Sequence, residues 1–198
     1  MQKIYKSLFL YTGATMNKKN TDLNQLLSRY QPFGEQEQTY KQKIITFLDE
    51  YEDAFERSLE MGHITASAWL INKENTHALL MHHRKLSIWV QLGGHCDGNP
   101  DTLAVAIKEA QEESGIMDIK PVMNEIFDID VHLIPENKKE KTHYHYDIRF
   151  LLQVMSDEDF IANEESHALA WIGKNRDNLL TDEQSVIRMF EKWIQKEI

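Results

Sequence analysis

Glu109, Glu112 and Glu113 fall at i, i+3 and i+4 in a stretch of helical periodicity, which sets three carboxylates on one face opposite an apolar stripe. Carboxylates this close repel one another, and a cation relieves the repulsion. A cluster of oxygen donors without thiolate partners suits a hard divalent ion, Mg²⁺ or in its place Mn²⁺, that keeps waters for exchange with substrate phosphates. Such an ion neutralises a diphosphate, acidifies a bound water and stabilises the leaving phosphate, while one carboxylate takes the water's proton. The plainer alternative is an acidic triplet on a solvated helix face, so the surrounding residues decide.

The helix that must carry the triplet is marked by Leu103, Ile107, Ala110 and Ser114 at helical spacing. Asn99 before Pro100 suits an N-cap with proline at the first helical position, and Gly115 suits the C-terminal stop. Ahead of it the short strand Ile88 to Leu92 runs into a Gly93-Gly94 loop. Further upstream, Ile64 to Ile71 and Ala78 to Met81 flank polar Asn72 to Asn75 and read as a hairpin.

Downstream, Phe127 to Leu133 and Tyr144 to Leu152 alternate apolar and polar residues as two strands around the loop Pro135 to Lys141. Ala168 to Ile172 reads as a last strand. Thr181 with Gln184 makes a capping box for a closing amphipathic helix through Val186, Ile187, Phe190, Trp193 and Ile194. The class is α/β, a mixed sheet with helices on both faces.

The N-terminal third has a different texture. Asp22 to Arg29 is a short helix, and the Pro32-Phe33-Gly34 break separates it from an amphipathic helix over Gln36 to Ser58. The organisation is therefore a disordered leader or extension at 1–20, an N-terminal helical arm at 21–60 and the main domain at 61–198. Met16 offers an alternative start. The arm's apolar stripe docks either on the domain behind it or on a second subunit, which would make a homodimer.

Composition narrows the function classes. Thirty-two acidic against 22 basic side chains leave a net charge of -10, a surface that repels nucleic acid and anionic membrane. No apolar run approaches the roughly 20 residues that span a bilayer. A single cysteine, Cys96, excludes an internal disulfide framework and a thiolate zinc site, and fits the reducing cytoplasm.

Gly94, Lys108, Glu109, Ala110, Glu112, Glu113, Gly115 and Ile116 together resemble the Nudix box, a glycine loop followed by Arg-Glu-aliphatic-any-Glu-Glu-any-Gly-aliphatic. The resemblance covers roughly Gly62 to Gly173 and leaves the arm outside. It implies a Nudix-type α/β/α sandwich and a metal-dependent pyrophosphohydrolase acting on a nucleoside diphosphate linked to another moiety, or a related small metabolite. It also implies that Glu109, Glu112 and Glu113 bind metal, that Glu112 serves as base or orients the water, that the Gly94 carbonyl adds a ligand, and that Lys108 orients Glu109.

Two positions depart from the pattern. Lys108 stands for arginine and loses its planar fork while keeping the charge, which loosens the hold on Glu109. Pro100 stands for the early glutamate that supports the loop, a role that Asp97 or Asp101 can take. These departures leave open a non-catalytic Nudix-fold module that senses a nucleotide. An isomerase of prenyl diphosphates would need Cys96 as a catalytic group, and no activating pair is near it.

Other candidates carry two readings each. His143, His145 and Asp147 share a strand face, onto which an antiparallel neighbour can bring Asp128, Asp130 and His132. This is either a phosphate or second-metal face, or the solvated face of a hairpin. His95 is a substrate contact or a loop cap. Arg84 and Lys85 engage a phosphate tail or form an ordinary basic turn. Glu164 or Glu165, in a late acidic loop, supplies a further carboxylate or is merely solvated.

Overall fold

The computed structural model describes residues 21–136, 141–161 and 166–196, so the expected leader at 1–20 and the candidates Glu164 and Glu165 lie outside the described residues. In chain order the elements begin with helices α1 (Thr21–Arg29) and α2 (Glu35–Glu50), then strands β1 (Gly62–Ile71), β2 (His77–His83), β3 (Trp89–Val90) and β4 (Leu92–His95). Helix α3 (Thr102–Ser114) follows, then strands β5 (Ile119–Pro121), β6 (Asp128–Ile134), β7 (His143–Val154) and β8 (Ser166–Gly173), and finally helix α4 (Gln184–Gln195).

β1 is the axis of the sheet, buried at every position. On one side it runs parallel to β7 from Gly62 opposite Tyr144 to Ile71 opposite Gln153. Its other side is shared between β4, which pairs antiparallel with Thr65 to Ala68, and β2, which pairs with Leu70 and Ile71. β8 and β3 extend the sheet beyond β2, while β5 and β6 line the far edge of β7.

Side chains alternate across a strand, so β1 serves two layers. Ile64, Ala66, Ala68 and Leu70 join Val105, Ala106 and Ala110 of α3, together with Leu27, Ile44 and Phe47 of the arm, in one core. Trp69 and Ile71 face the other way, under Val186, Met189, Phe190 and Trp193 of α4. Each fully buried side chain of this kind stabilises by about 1.5–3 kcal/mol, enough to make α4 an integral layer. Toward the start of β1 that second face turns polar at His63, Thr65 and Ser67, all buried. The arm's stripe is buried on its own chain.

Several local expectations are corrected. The second arm helix stops at Glu50, not Ser58: Tyr51 is extended, and the carbonyls of Ala54 and Phe55 accept N–H bonds from Ile64 (2.8 Å) and Gly98 (2.9 Å). A continuing helix would have needed those carbonyls internally. Phe55 kept the apolar period because it is buried in the turn that follows. Asp101, not Asn99, caps α3, accepting from the Ala104 N–H at 3.0 Å. Residue Glu183, not Thr181, precedes α4 and makes no side-chain cap. The glycine pair lies within β4 and is not a loop, and β5 carried too few residues to register as a strand.

Candidate active site

β4 is where the glycines matter. Gly93 and Gly94 pair with Ser67 and Ala66 of β1, and a side chain at Gly94 would set its Cβ 2.5 Å from Glu109 Oε2. The bare backbone of Gly94 is therefore the seat of that carboxylate. At Gly93, with φ +157°, a Cβ would meet the Cα of Ser67 at 2.7 Å, which explains glycine where two strands close tightly. The Gly93 N–H donates to Glu113 Oε2 at 2.7 Å, and Glu113 is buried.

α3 holds the rest of the group because Asp101 starts it and left-handed Gly115 (φ 75°) stops it, fixing which residues face β4. Lys108 Nζ donates to Glu109 Oε1 at 3.2 Å and to Glu112 Oε2 at 2.8 Å. The hydrogen bond to Glu112, then the one to Glu109, push the Lys108 ammonium above its ordinary value. Side-chain exposure grades from 18% at Glu109 to 57% at Glu112, so Glu112 is the carboxylate open to an incoming water. All donors here are carboxylate oxygens with one lysine interleaved, a set that fits a hard divalent cation.

Of the loop supports weighed for the Pro100 position, Asp101 is spent on capping α3. Asp97 accepts from Arg57 Nε at 2.5 Å and Nη2 at 2.8 Å, and that hydrogen bond, ahead of the guanidinium charge, holds its carboxyl below the usual range. Arg84 is exposed, and its Nη2 donates to the Ser166 carbonyl at 3.2 Å. Cys96 is buried, and burial, followed by the charges of Asp147, Asp97 and Glu109, pushes its thiol up, unlike a nucleophile.

The second gathering is made of imidazoles. Among the described residues, the group of three acidic, thiol or imidazole side chains whose ligand atoms all lie within 4.8 Å of one another is His63, His95 and His145. His63 stands directly opposite His145 across the β1–β7 pairing, and His95 comes from β4 on the other side of β1. His143 Nε2 lies 3.2 Å from His145 Nε2, and the His132 ring centroid is 5.5 Å from that of His145. Burial, then the imidazoles of His63, His132, His95 and His143, hold His145 down at about 2, so its ring is neutral.

The solvated-hairpin reading of this face is overturned, because β6 and β7 are covered and His143, Asp147, Asp128 and Asp130 are all buried. Their register pairs Asp128 with Arg149, Asp130 with Asp147 and His132 with His145. Asp147 accepts from Thr65 Oγ1 (3.0 Å), Ser67 Oγ (2.9 Å) and Arg149 Nε (2.7 Å). Asp128 in turn receives Arg149, Arg188 and Lys192. Sequence reading passed over His63, Arg149 and Arg188; His63 and Arg149 had a usable signal in continuing the polar phase of their strands.

No protein-family model matches the sequence, and no curated protein sequence matches it either. Solved structures do share its architecture. The binary complex of a C. elegans Ap4A hydrolase aligns with TM-score 0.54 at 16% identity, over 67% of this chain and 95% of that one. An E. coli dihydroneopterin triphosphate pyrophosphohydrolase aligns with TM-score 0.53 at 14% identity, over 67% and 96%. A MutT Nudix hydrolase from Burkholderia pseudomallei gives 0.52 at 18%, over 67% and 98%. At these identities the likeness is one of architecture, and the chain has the curled mixed sheet between helices of the Nudix fold.

Proposed function

We propose that this chain is a Nudix-type pyrophosphohydrolase, its domain at 61–198, that cleaves a phosphoanhydride bond in a small diphosphate-containing metabolite. The observation that carries the reading is the Glu109 carboxylate seated against Gly94, with Lys108 tying it to Glu112. The fold shared with hydrolases named for Ap4A and for dihydroneopterin triphosphate supports the same class.

Glu109, Glu112 and Glu113, with the Gly94 carbonyl, would hold Mg²⁺ or Mn²⁺. When bound, the ion supplies charge neutralisation for the diphosphate and a more acidic water. Lys108 holds Glu109 and Glu112 in register through its two hydrogen bonds. Glu113, anchored on the Gly93 N–H, fixes α3 to the strand that presents Gly94. Glu112, the most exposed of the three, accepts the water's proton as the water oxygen joins phosphorus, and the bridging P–O bond breaks with its electrons on the leaving phosphate. Arg84, exposed with its Nη2 on the Ser166 carbonyl, is assigned to the substrate's outer phosphate.

Incubation with Mg²⁺ and a panel of nucleotide sugars, dinucleotides, nucleoside triphosphates and coenzyme A, followed by phosphorus NMR, tests the proposal. Two phosphate-terminated products from the native chain and none from Glu112→Gln are expected. Equal cleavage by both would point to a contaminant, and saturable binding without turnover across the panel would identify a nucleotide sensor instead.

A further inference from the structure

We propose that His63, His95 and His145 form a three-imidazole site for a transition-type divalent cation of the zinc class, distinct from the carboxylates of α3. Three adjacent strands of one sheet supply the ligands: β4, β1 and β7 contribute one histidine each to the same face. Their ring centroids form a nearly even triangle, 5.0 Å from His63 to His95, 4.7 Å from His63 to His145 and 5.2 Å from His95 to His145. Metal–nitrogen bonds of about 2.0–2.1 Å put tetrahedral ligand atoms roughly 3.3 Å apart. The ligand atoms already lie within 4.8 Å of one another, so closing on an ion asks for a contraction of at most about 1.5 Å.

The chemistry of the donors selects the ion. Three imidazoles with no thiolate suit zinc, cobalt, nickel or iron rather than Mg²⁺, which prefers oxygen. Nearby carboxylates are engaged elsewhere: Asp147 is bound by Thr65, Ser67 and Arg149, and Asp130 by His132 (3.0 Å) and Arg188 (3.1 Å). A divalent ion on three neutral rings keeps its charge and an open position, the arrangement that accepts hydroxide or an anionic oxygen as fourth ligand.

Outer supports hold the rings. His145 Nε2 pairs with His143 Nε2, and His143 Nδ1 lies 2.8 Å from the Lys141 carbonyl, a chain that fixes ring orientation from behind. Residues mounted on strands also keep their geometry better than residues on loops. The placement is pointed as well: His95 is the residue after Gly94, so the two sites lie at neighbouring positions of β4. The assignment does not depend on whether the chain hydrolyses anything.

The test uses the full, untagged chain, stripped with chelator and titrated with Co²⁺, whose visible absorption reports imidazole coordination, with bound Zn²⁺ counted after dialysis by elemental analysis. With excess Mg²⁺ present to occupy the α3 carboxylates, one equivalent per chain with a four-coordinate cobalt band is expected. Outer-shell losses alone weaken metal sites about 10–100-fold, so His95→Ala should weaken binding by at least about 100-fold. His63 is so buried that its replacement risks the fold, whereas His95 is only partly covered and its variant can be checked by thermal melting. His95→Cys should keep one equivalent and add a thiolate-to-cobalt charge-transfer band. Glu109→Gln should leave the cobalt spectrum unchanged. Absence of saturable Co²⁺ and Zn²⁺ binding, or binding that survives His95→Ala and disappears in Glu109→Gln, overturns the site.

Discussion

Arg188 of α4 grips Asp128 of β6 with two parallel hydrogen bonds, Nε to Oδ1 at 3.0 Å and Nη2 to Oδ2 at 2.9 Å, inside the protein. Glu37 of α2 joins the same knot through Arg188 (3.0 Å) and Lys192, so one cluster of charges ties the arm, β6 and the last helix together. Removing one partner of a buried pair leaves a charge uncompensated. Arg188→Ala should cost about 3 kcal/mol, the low end for such losses because Arg149 and Lys192 still serve Asp128. Urea unfolding measures it, and a change under half that size would mean the knot contributes little.

The same carboxylate sets an acid limb of stability. Burial pushes Asp128 up, but the Arg188 hydrogen bond and the charges of Arg149 and Lys192 outweigh it and hold the group at about 2. Asp130 is also held down, by Arg149 and His132 against burial. A group depressed in the folded state contributes fully above its unfolded value, near 3.9 for aspartate, and loses that contribution as pH falls through the folded value. Melting temperature should therefore drop between about pH 4 and pH 2, and the slope should flatten in Asp128→Asn. Glu37, raised first by burial and then by Asp128, opposes this at higher pH, outside the window. An unchanged slope in Asp128→Asn would remove Asp128 as its source.

Gly93 and Gly94 should part company when replaced by alanine. At Gly94 the new Cβ meets the tip of Glu109, a flexible side chain that can swing away. Stability should move by less than about 1 kcal/mol while phosphoanhydride hydrolysis falls by about 100-fold or more, because the carboxylate loses its seat. At Gly93 the Cβ meets the backbone of Ser67 at a φ unsuited to side chains, and the protein should lose several kcal/mol, on the order of 3. Paired unfolding curves and rates decide, and equal stability losses would contradict the difference between the two glycines.

Lys108 offers a gain as well as a loss. Lys108→Arg supplies a planar fork to Glu109 and Glu112 and should match or exceed the native rate. Lys108→Ala should fall by about tenfold, and Glu112→Gln by about 100-fold or more, if Glu112 is the base. Excess chelator should abolish the reaction, and Mg²⁺ should restore it. A loss of less than about tenfold in Glu112→Gln, short of the equal cleavage that marks a contaminant, would transfer the proton step to another group.

Local periodicity determined much of this protein. The 3.6-residue repeat from Leu103 to Ser114 is enough to put Glu109, Glu112 and Glu113 on a helix, and Gly115 marks where it stops. Alternation in 128–134 and 143–154 likewise declares strands, because a pleat sends neighbours to opposite faces. Tertiary structure alone decided the partners. Periodicity fixes which side chains share a face, but nothing local states which strand lies alongside or in what register. The parallel pairing of β1 with β7 joins residues about 80 apart and sets His63 opposite His145. Coverage of the far face turned an apparently solvated row into a buried network, and hydrogen bonds from Ile64 and Gly98 ended α2 where the apolar period would have carried it on.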